Sequence, residues 1–278
     1  MTPYLKMTDE EARCLAWIHS NKFTVPELFW KKFYADKSFQ YACRVLKNYS
    51  SPERGLLHVQ KPHRFLNSYY FLTAGAIRVL DGMNRILVRS TRYPVKINPY
   101  EREHDEMVQQ VRIAFEANGD LKDVFWVSDF EMRCGITPSA KAQFLEGSLD
   151  KANWRSHWSQ WRDKSRRTPD GYFEAELTGK KYGFVLEIEN VPNPEWKIQI
   201  MVGYLENSFP DDFKLVVSAS RPNAIRMYKA LQLKVRREEQ SKWFISYLER
   251  ATTLPFKKVF HSLTRPIPAS QPQQDPAA

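Results

Sequence analysis

Apolar positions recur along the chain with two periods, one of three to four residues and one of two, and the period switches several times. Thr8 followed by Glu11 is a capping-box signal, and Leu15 and Ile18 give the helix after it an apolar face. Thr24 with Glu27 repeats the signal, and Pro26 in the first turn predicts a helix over 25–33. A third helix is predicted over 36–49, with Phe39, Ala42, Cys43 and Leu46 on one stripe. Two short strands, LLHVQ and SYYFLT, then flank the basic turn KPHR, and 74–80 reads as a closing helix.

Beyond a basic stretch with two prolines, a helix is predicted over 101–119, carrying Met107, Val108, Val111, Ile113, Ala114 and Phe115 and ending at Gly119. VFWVSD reads as a short buried strand. A helical stretch over 139–162 follows, with Trp154, Trp158 and Trp161 at core spacing among Arg155, Arg162, Lys164, Arg166 and Arg167. PDGYFEAELTGKKYGFVLEIEN reads as a β-hairpin. Helices over 195–207 and 223–233, a strand in FKLVVSAS, and a strand or short helix in WFISYL complete the pattern. These periods divide the chain into a reader at 1–82, a basic linker at 83–100, an α/β domain at 101–262 with a central mixed sheet, and a disordered Pro- and Gln-rich tail at 263–278.

Three short helices followed by a hairpin is the order of a winged helix-turn-helix, in which the third helix enters the major groove and the hairpin tip meets phosphate. Lys37, Gln40, Tyr41, Arg44 and Lys47 would then face double-stranded DNA from the helix, and Lys61, His63 and Arg64 from the wing. Charge sharpens this picture. The chain of 278 residues carries a net charge of +10. Its first 100 residues hold 16 Lys and Arg against 7 Asp and Glu, whereas the other 178 hold 26 against 25. Nearly all the excess sits where a polyanion reader needs it.

Hydrophobic residues make up 42% of the chain, enough for a buried core. Cys14, Cys43 and Cys134 form no C-x-x-C pair, which argues against a disulfide framework or a zinc site. The first residues lack the apolar run of a signal peptide, and no stretch is long and apolar enough to span a membrane. A cytoplasmic protein, a homodimer among its arrangements, is the expectation.

The 169–190 hairpin carries the second chemical signal. A four-residue turn at 178–181 sets Asp170 across from Glu189, and a two-residue slip sets it across from Glu187. Glu187 and Glu189 are two apart, so both point to one face. Three gathered carboxylates repel unless a cation neutralises them or one takes up a proton. All-oxygen ligation suits Mg2+ or Mn2+, which polarises a phosphodiester and activates water.

Pro169-Asp170, a hairpin, Leu186–Glu189 and a following helix resemble the PD-(D/E)XK nuclease-like fold. With the N-terminal reader, YFLTAG at 70–75, His104-Asp105, WVSDFEMR at 126–133 and Tyr204, the chain over 8–262 resembles the replication-relaxation family of plasmid and mobile-element proteins. The resemblance implies metal ligation by Asp170 and Glu187 and a catalytic lysine at the position of Glu189. This sequence departs there, and Lys197 in the next helix, or His104 or Glu106 in the first, is the candidate to substitute. Three readings stay open: a DNA-binding protein of replication, relaxation or transfer with a nuclease-like domain, a transcriptional regulator without catalysis, and an active Mg-dependent endodeoxyribonuclease.

Overall fold

A computed structural model describes residues 7–61, 68–87, 99–149 and 168–265. It is a mixed α+β structure built around a six-stranded mixed sheet. Among the described residues no helix is long and apolar enough to cross a membrane.

The N-terminal unit opens with α1 (Asp9–Ser20), whose capping box closes in both directions: Glu11 N–H donates to Thr8 Oγ1 at 3.2 Å, and Thr8 N–H to Glu11 Oε2 at 2.9 Å. α2 (Pro26–Phe33) starts differently from the expected box. Thr24 is fully buried, its backbone bridges Tyr70, and its hydroxyl donates to the Val25 carbonyl, so it caps nothing. Pro26 opens the helix without a side-chain cap, one donor being absent by chemistry. Glu27 instead pairs with Lys31.

α3 (Phe39–Tyr49) begins three residues later than expected, where the Ser38 hydroxyl accepts the Tyr41 N–H. Its buried stripe is Ala42, Leu46 and Tyr49; Phe39 is 41% exposed and meets Trp30 edge-on. β1 (Leu57–Gln60) and β2 (Tyr69–Leu72) pair antiparallel, and α4 (Ala74–Gly82) closes the unit under a Thr73 cap.

The second unit begins with α5 (Pro99–Glu116), then β3 (Lys122–Ser128), α6 (Asp129–Arg133) and α7 (Pro138–Leu145). β4 (Gly171–Leu177) and β5 (Lys180–Glu189) form the hairpin. α8 (Glu195–Ser208), β6 (Phe213–Ser218), α9 (Arg221–Lys234), β7 (Trp243–Tyr247), α10 (Leu248–Thr253), α11 (Phe256–Val259) and β8 (His261–Ser262) follow. Strand order is β3-β4-β5-β6-β7-β8, antiparallel from β3 to β5, parallel from β5 to β7, and antiparallel again at β8.

Alternation along the strands fills two cores. Phe173, Phe184, Leu186, Ile188, Leu215 and Val217 pack on one face with Val111 and Phe115 of α5 and Phe256 of α11. Tyr172, Val185 and Val216 pack on the other with Met201 and Leu205 of α8 and Met227 and Leu231 of α9. Gly171 lets the Trp126 ring lie against the backbone, where a Cβ would come within 2.6 Å of it.

Several boundaries shift. WFISYL divides into β7 and the first residue of α10. Ile86 and Leu87, expected in the linker, are buried in different cores, because apolar residues so near α4 still reach packing partners. Leu263, expected in the tail, is 1% exposed, and the Tyr228 hydroxyl donates to the Arg265 carbonyl at 2.6 Å. The tryptophan stripe of 154–161, the basic run of 155–167, His63, Arg64 and most of the tail lie outside the described residues.

Candidate nucleic-acid interface and acidic strand ends

Lys37, Gln40, Tyr41, Arg44 and Lys47 are all exposed. Lys37 lies just ahead of α3, where its carbonyl accepts the Trp30 indole N–H at 2.9 Å and its ammonium pairs with exposed Asp36. Within α3, the Arg44 guanidinium lies 5.9 Å from the centre of the Tyr41 ring, which in turn meets Tyr34 edge-on. The buried stripe therefore turns a cationic and aromatic face outward. Lys61 is exposed at the end of β1.

The acidic hairpin has a tighter turn than four residues. Leu177 pairs with Lys180, and Thr178 and Gly179 both take positive φ, 54° and 79°, as a two-residue turn joining twisted strands requires. Gly171 thus faces Leu186, the Asp170 N–H donates to the Leu186 carbonyl at 3.1 Å, and Asp170 falls beside Glu187. The slipped register is the one formed.

The carboxylates nevertheless have different partners. Asp170 Oδ2 accepts the Ile188 N–H at 2.7 Å and lies 3.1 Å from His104 Nε2 on α5. Glu187 and Glu189 share the other face with Val185; both are buried, and Glu189 accepts the Asn193 amide. Lys197 is exposed, its ammonium over the Trp196 ring, and bonds none of the three acids. Glu106 is engaged by Arg102 at 3.0 Å, and Lys181 at the far end of the hairpin pairs with Glu174.

His104 is the pivot. Burial pulls its pKa down, but hydrogen bonding to Asp105 and Asp170 overrides this and lifts it to about 11. An imidazolium therefore stands where the acids need a counter-charge. From it a chain of charges runs into the N-terminal unit. Asp105 lies 3.2 Å from Lys22, Lys22 lies 3.0 Å from Asp129, Asp129 pairs with Arg133, and Arg133 donates to the Thr168 hydroxyl, two residues before Asp170. Lys22 sits in the turn after α1 at φ 68°, and its two carboxylates raise its pKa against the opposing effect of burial.

A second buried cluster joins the units beside the first. Arg112 donates to Ser20, Asn21 and Glu116, and its guanidinium lies 5.6 Å from Trp17 and 5.5 Å from Trp126. Lys32 completes the pairing of Glu116. The sequence pattern points to none of Lys22, Asp105, Asp129, Arg112 or Glu116 as a group, since they come from α5, α6 and the turn after α1. Only His104-Asp105 and the stretch WVSDFEMR, which holds Asp129 and Arg133, carry a signal in the sequence.

This donor set does not fit a Mg2+ or Mn2+ site of the expected kind. Asp170 is held by the His104 ring and the Ile188 N–H, and the position for an activating lysine is an acid. Among the described residues no group of three or more His, Cys, Asp or Glu is arranged to hold a metal ion. No protein-family model, curated protein or solved structure matches the chain.

Proposed function

We propose that this protein binds double-stranded DNA through a winged helix-turn-helix reader, with α3 in the major groove and the β1–β2 hairpin on the backbone. The observation that carries the reading is the outer face of α3 together with the residue just ahead of it. Lys37, Gln40, Tyr41, Arg44 and Lys47 are exposed together on the most basic third of the chain. A single-signed surface of this kind gains free energy by displacing counterions from phosphate.

The second unit is read as a PD-(D/E)XK nuclease-like domain of a plasmid or mobile-element protein acting in replication, relaxation or transfer. Pro169-Asp170 leading into β4, the hairpin, Glu187 near the end of β5 and the helix α8 follow in the order that the resemblance requires. With His104 neutralising Asp170, and Glu189 in the place of a lysine, this domain holds DNA or orients the reader and does not cut.

Two measurements test the reading. Duplex affinity, followed by fluorescence anisotropy from about 50 to about 200 mM KCl, should fall with a log–log slope of roughly −4 or steeper. Arg44→Ala should weaken binding about tenfold to a hundredfold and leave stability within about 0.5 kcal/mol. Binding that ignores salt sinks the reader. Supercoiled plasmid incubated with protein and Mn2+ should stay intact; nicking that Asp170→Asn abolishes would replace the holding role with an enzyme.

A further inference from the structure

Strands β5 and β6 run parallel and end in a cleft between the start of α8 and the flank of α9. The cleft encloses about 260 Å3, and its walls include Glu189, Asn193, Ser218, Asn223, Arg226 and Lys234. Crevices at the carboxyl ends of parallel strands are where open α/β sheets take ligands, because helix N-termini converge there.

Two independent features point to an anion. The first is the start of α9, a helix of 14 residues whose N-cap, Ser220, has extended backbone but provides no side-chain cap. Pro222 lacks an N–H, and the remaining first-turn amides present partial positive charge that the N-cap side chain does not accept. The second feature is Ser218 at the end of β6. It is 1% exposed, lines the cleft, and its Oγ has no hydrogen-bond partner among the described residues. A buried hydroxyl in that state costs about 1–3 kcal/mol, which an acceptor oxygen in the cleft would recover. Arg226 adds an exposed guanidinium from the first half of α9.

We propose that this cleft binds a phosphate group, held by the first-turn amides of α9, the Ser218 hydroxyl and the Arg226 guanidinium. Glu189, the in-register neighbour of Ser218 on β5, directs the phosphate toward α9 and suits a hydroxyl donor on the rest of the ligand. The same chemistry is offered by a DNA backbone phosphate and by a free phosphorylated small molecule. In the first case the inference rests on the DNA-binding reading; in the second it stands alone.

Thermal melts of the full chain in inorganic phosphate, against chloride at matched ionic strength, test the site. About 20 mM phosphate should raise the wild-type Tm by roughly 3 °C, as ligand linkage predicts. Ser218→Ala and Arg226→Met should each lose most of that rise, while Lys229→Ala, on α9 but away from the cleft walls, should keep it. An equal rise in all variants, or none in the wild type, overturns the proposal. Should Ser218→Ala fail to fold, surface Arg226→Met decides alone. Duplex titrations then separate the sources: with a DNA phosphate, Arg226→Met flattens the salt slope by about one, and with a free ligand the slope is unchanged. Arg44→Ala should weaken duplex binding yet keep the phosphate shift, so failure of the reader and failure of the cleft give different results.

Discussion

On α3 the charges look outward; around His104 they look at one another. Arg44 and Lys47 are exposed, and Lys37 is paired only with an exposed neighbour. Asp170, Asp105, Lys22 and Asp129 are at most 17% exposed at their side chains and form a line of opposite charges with His104 among them. Both regions are rich in ionisable groups, yet they are arranged in opposite ways. Unneutralised charge of one sign in water attracts an external polyanion. Neutralised charge away from water fixes which surfaces meet, and removing one partner is expensive.

The largest effect that breaks this contrast should come from Arg112. It is 6% exposed, ties α5 to α1 through Ser20 and Asn21, and pairs with Glu116 on its own helix. Arg112→Leu leaves Glu116 with Lys32 alone and should cost about 3–5 kcal/mol in urea denaturation. A loss under about 1 kcal/mol would show that apolar packing, chiefly Phe23, Val25, Leu28 and Tyr69 with Ile113, joins the units without help from charge.

Lys22→Met should come next, at about 2–4 kcal/mol, because Asp105 and Asp129 would then lie in one partly buried site without their shared cation. If the inner charges serve the fold alone, duplex affinity of the folded variant should match wild type. Weakened binding with an unchanged urea midpoint would move Lys22 into the reading surface.

His104 gives the comparison a pH axis. Its pKa is raised in the folded protein, so the stability it adds is complete below its ordinary value near 6.5 and is lost as pH climbs toward about 11. His104→Gln should therefore cost most near pH 6, at least about 2 kcal/mol, and the gap to wild type should narrow as pH rises from about 6.5 toward about 11. A gap independent of pH would mean that His104 acts by packing or as a neutral donor, and Asp170 would be left to seek another cation.

What could be read from residue order follows from this division. Local signals survived where neighbours in sequence are neighbours in space. The capping box at Thr8, the stripe of Ala42 and Leu46, and the alternation in FVLEI all appear as helix or strand with the expected face inward. The box at Thr24 failed because a strand bridge to Tyr70, 46 positions away, claimed its backbone. Phe39 left the stripe because α3 starts at Ser38, so it occupies an exposed first turn beside Trp30. The adjacency of 170 and 187 was legible, and His104 was a candidate beside it, but the buried pairs that hold these groups were not. His104 comes from another element, and Lys22 from another unit, so neither shares a period with the hairpin.

The smallest effect sharpens the geometry on which the inner region depends. The register that sets Asp170 beside Glu187 follows from a two-residue turn, and Thr178 occupies its first position at φ 54°. A β-branched side chain is strained in that left-handed region, whereas asparagine tolerates it. Thr178 does donate its hydroxyl to the Leu177 carbonyl, but at an exposed site where water competes. Thr178→Asn should therefore stabilise the protein by about 0.5–1 kcal/mol, read as a higher urea midpoint at unchanged slope. A destabilising result would favour a wider turn, return Asp170 to a position across from Glu189, and remove the pairing with Ile188 and His104 that sets the two regions apart.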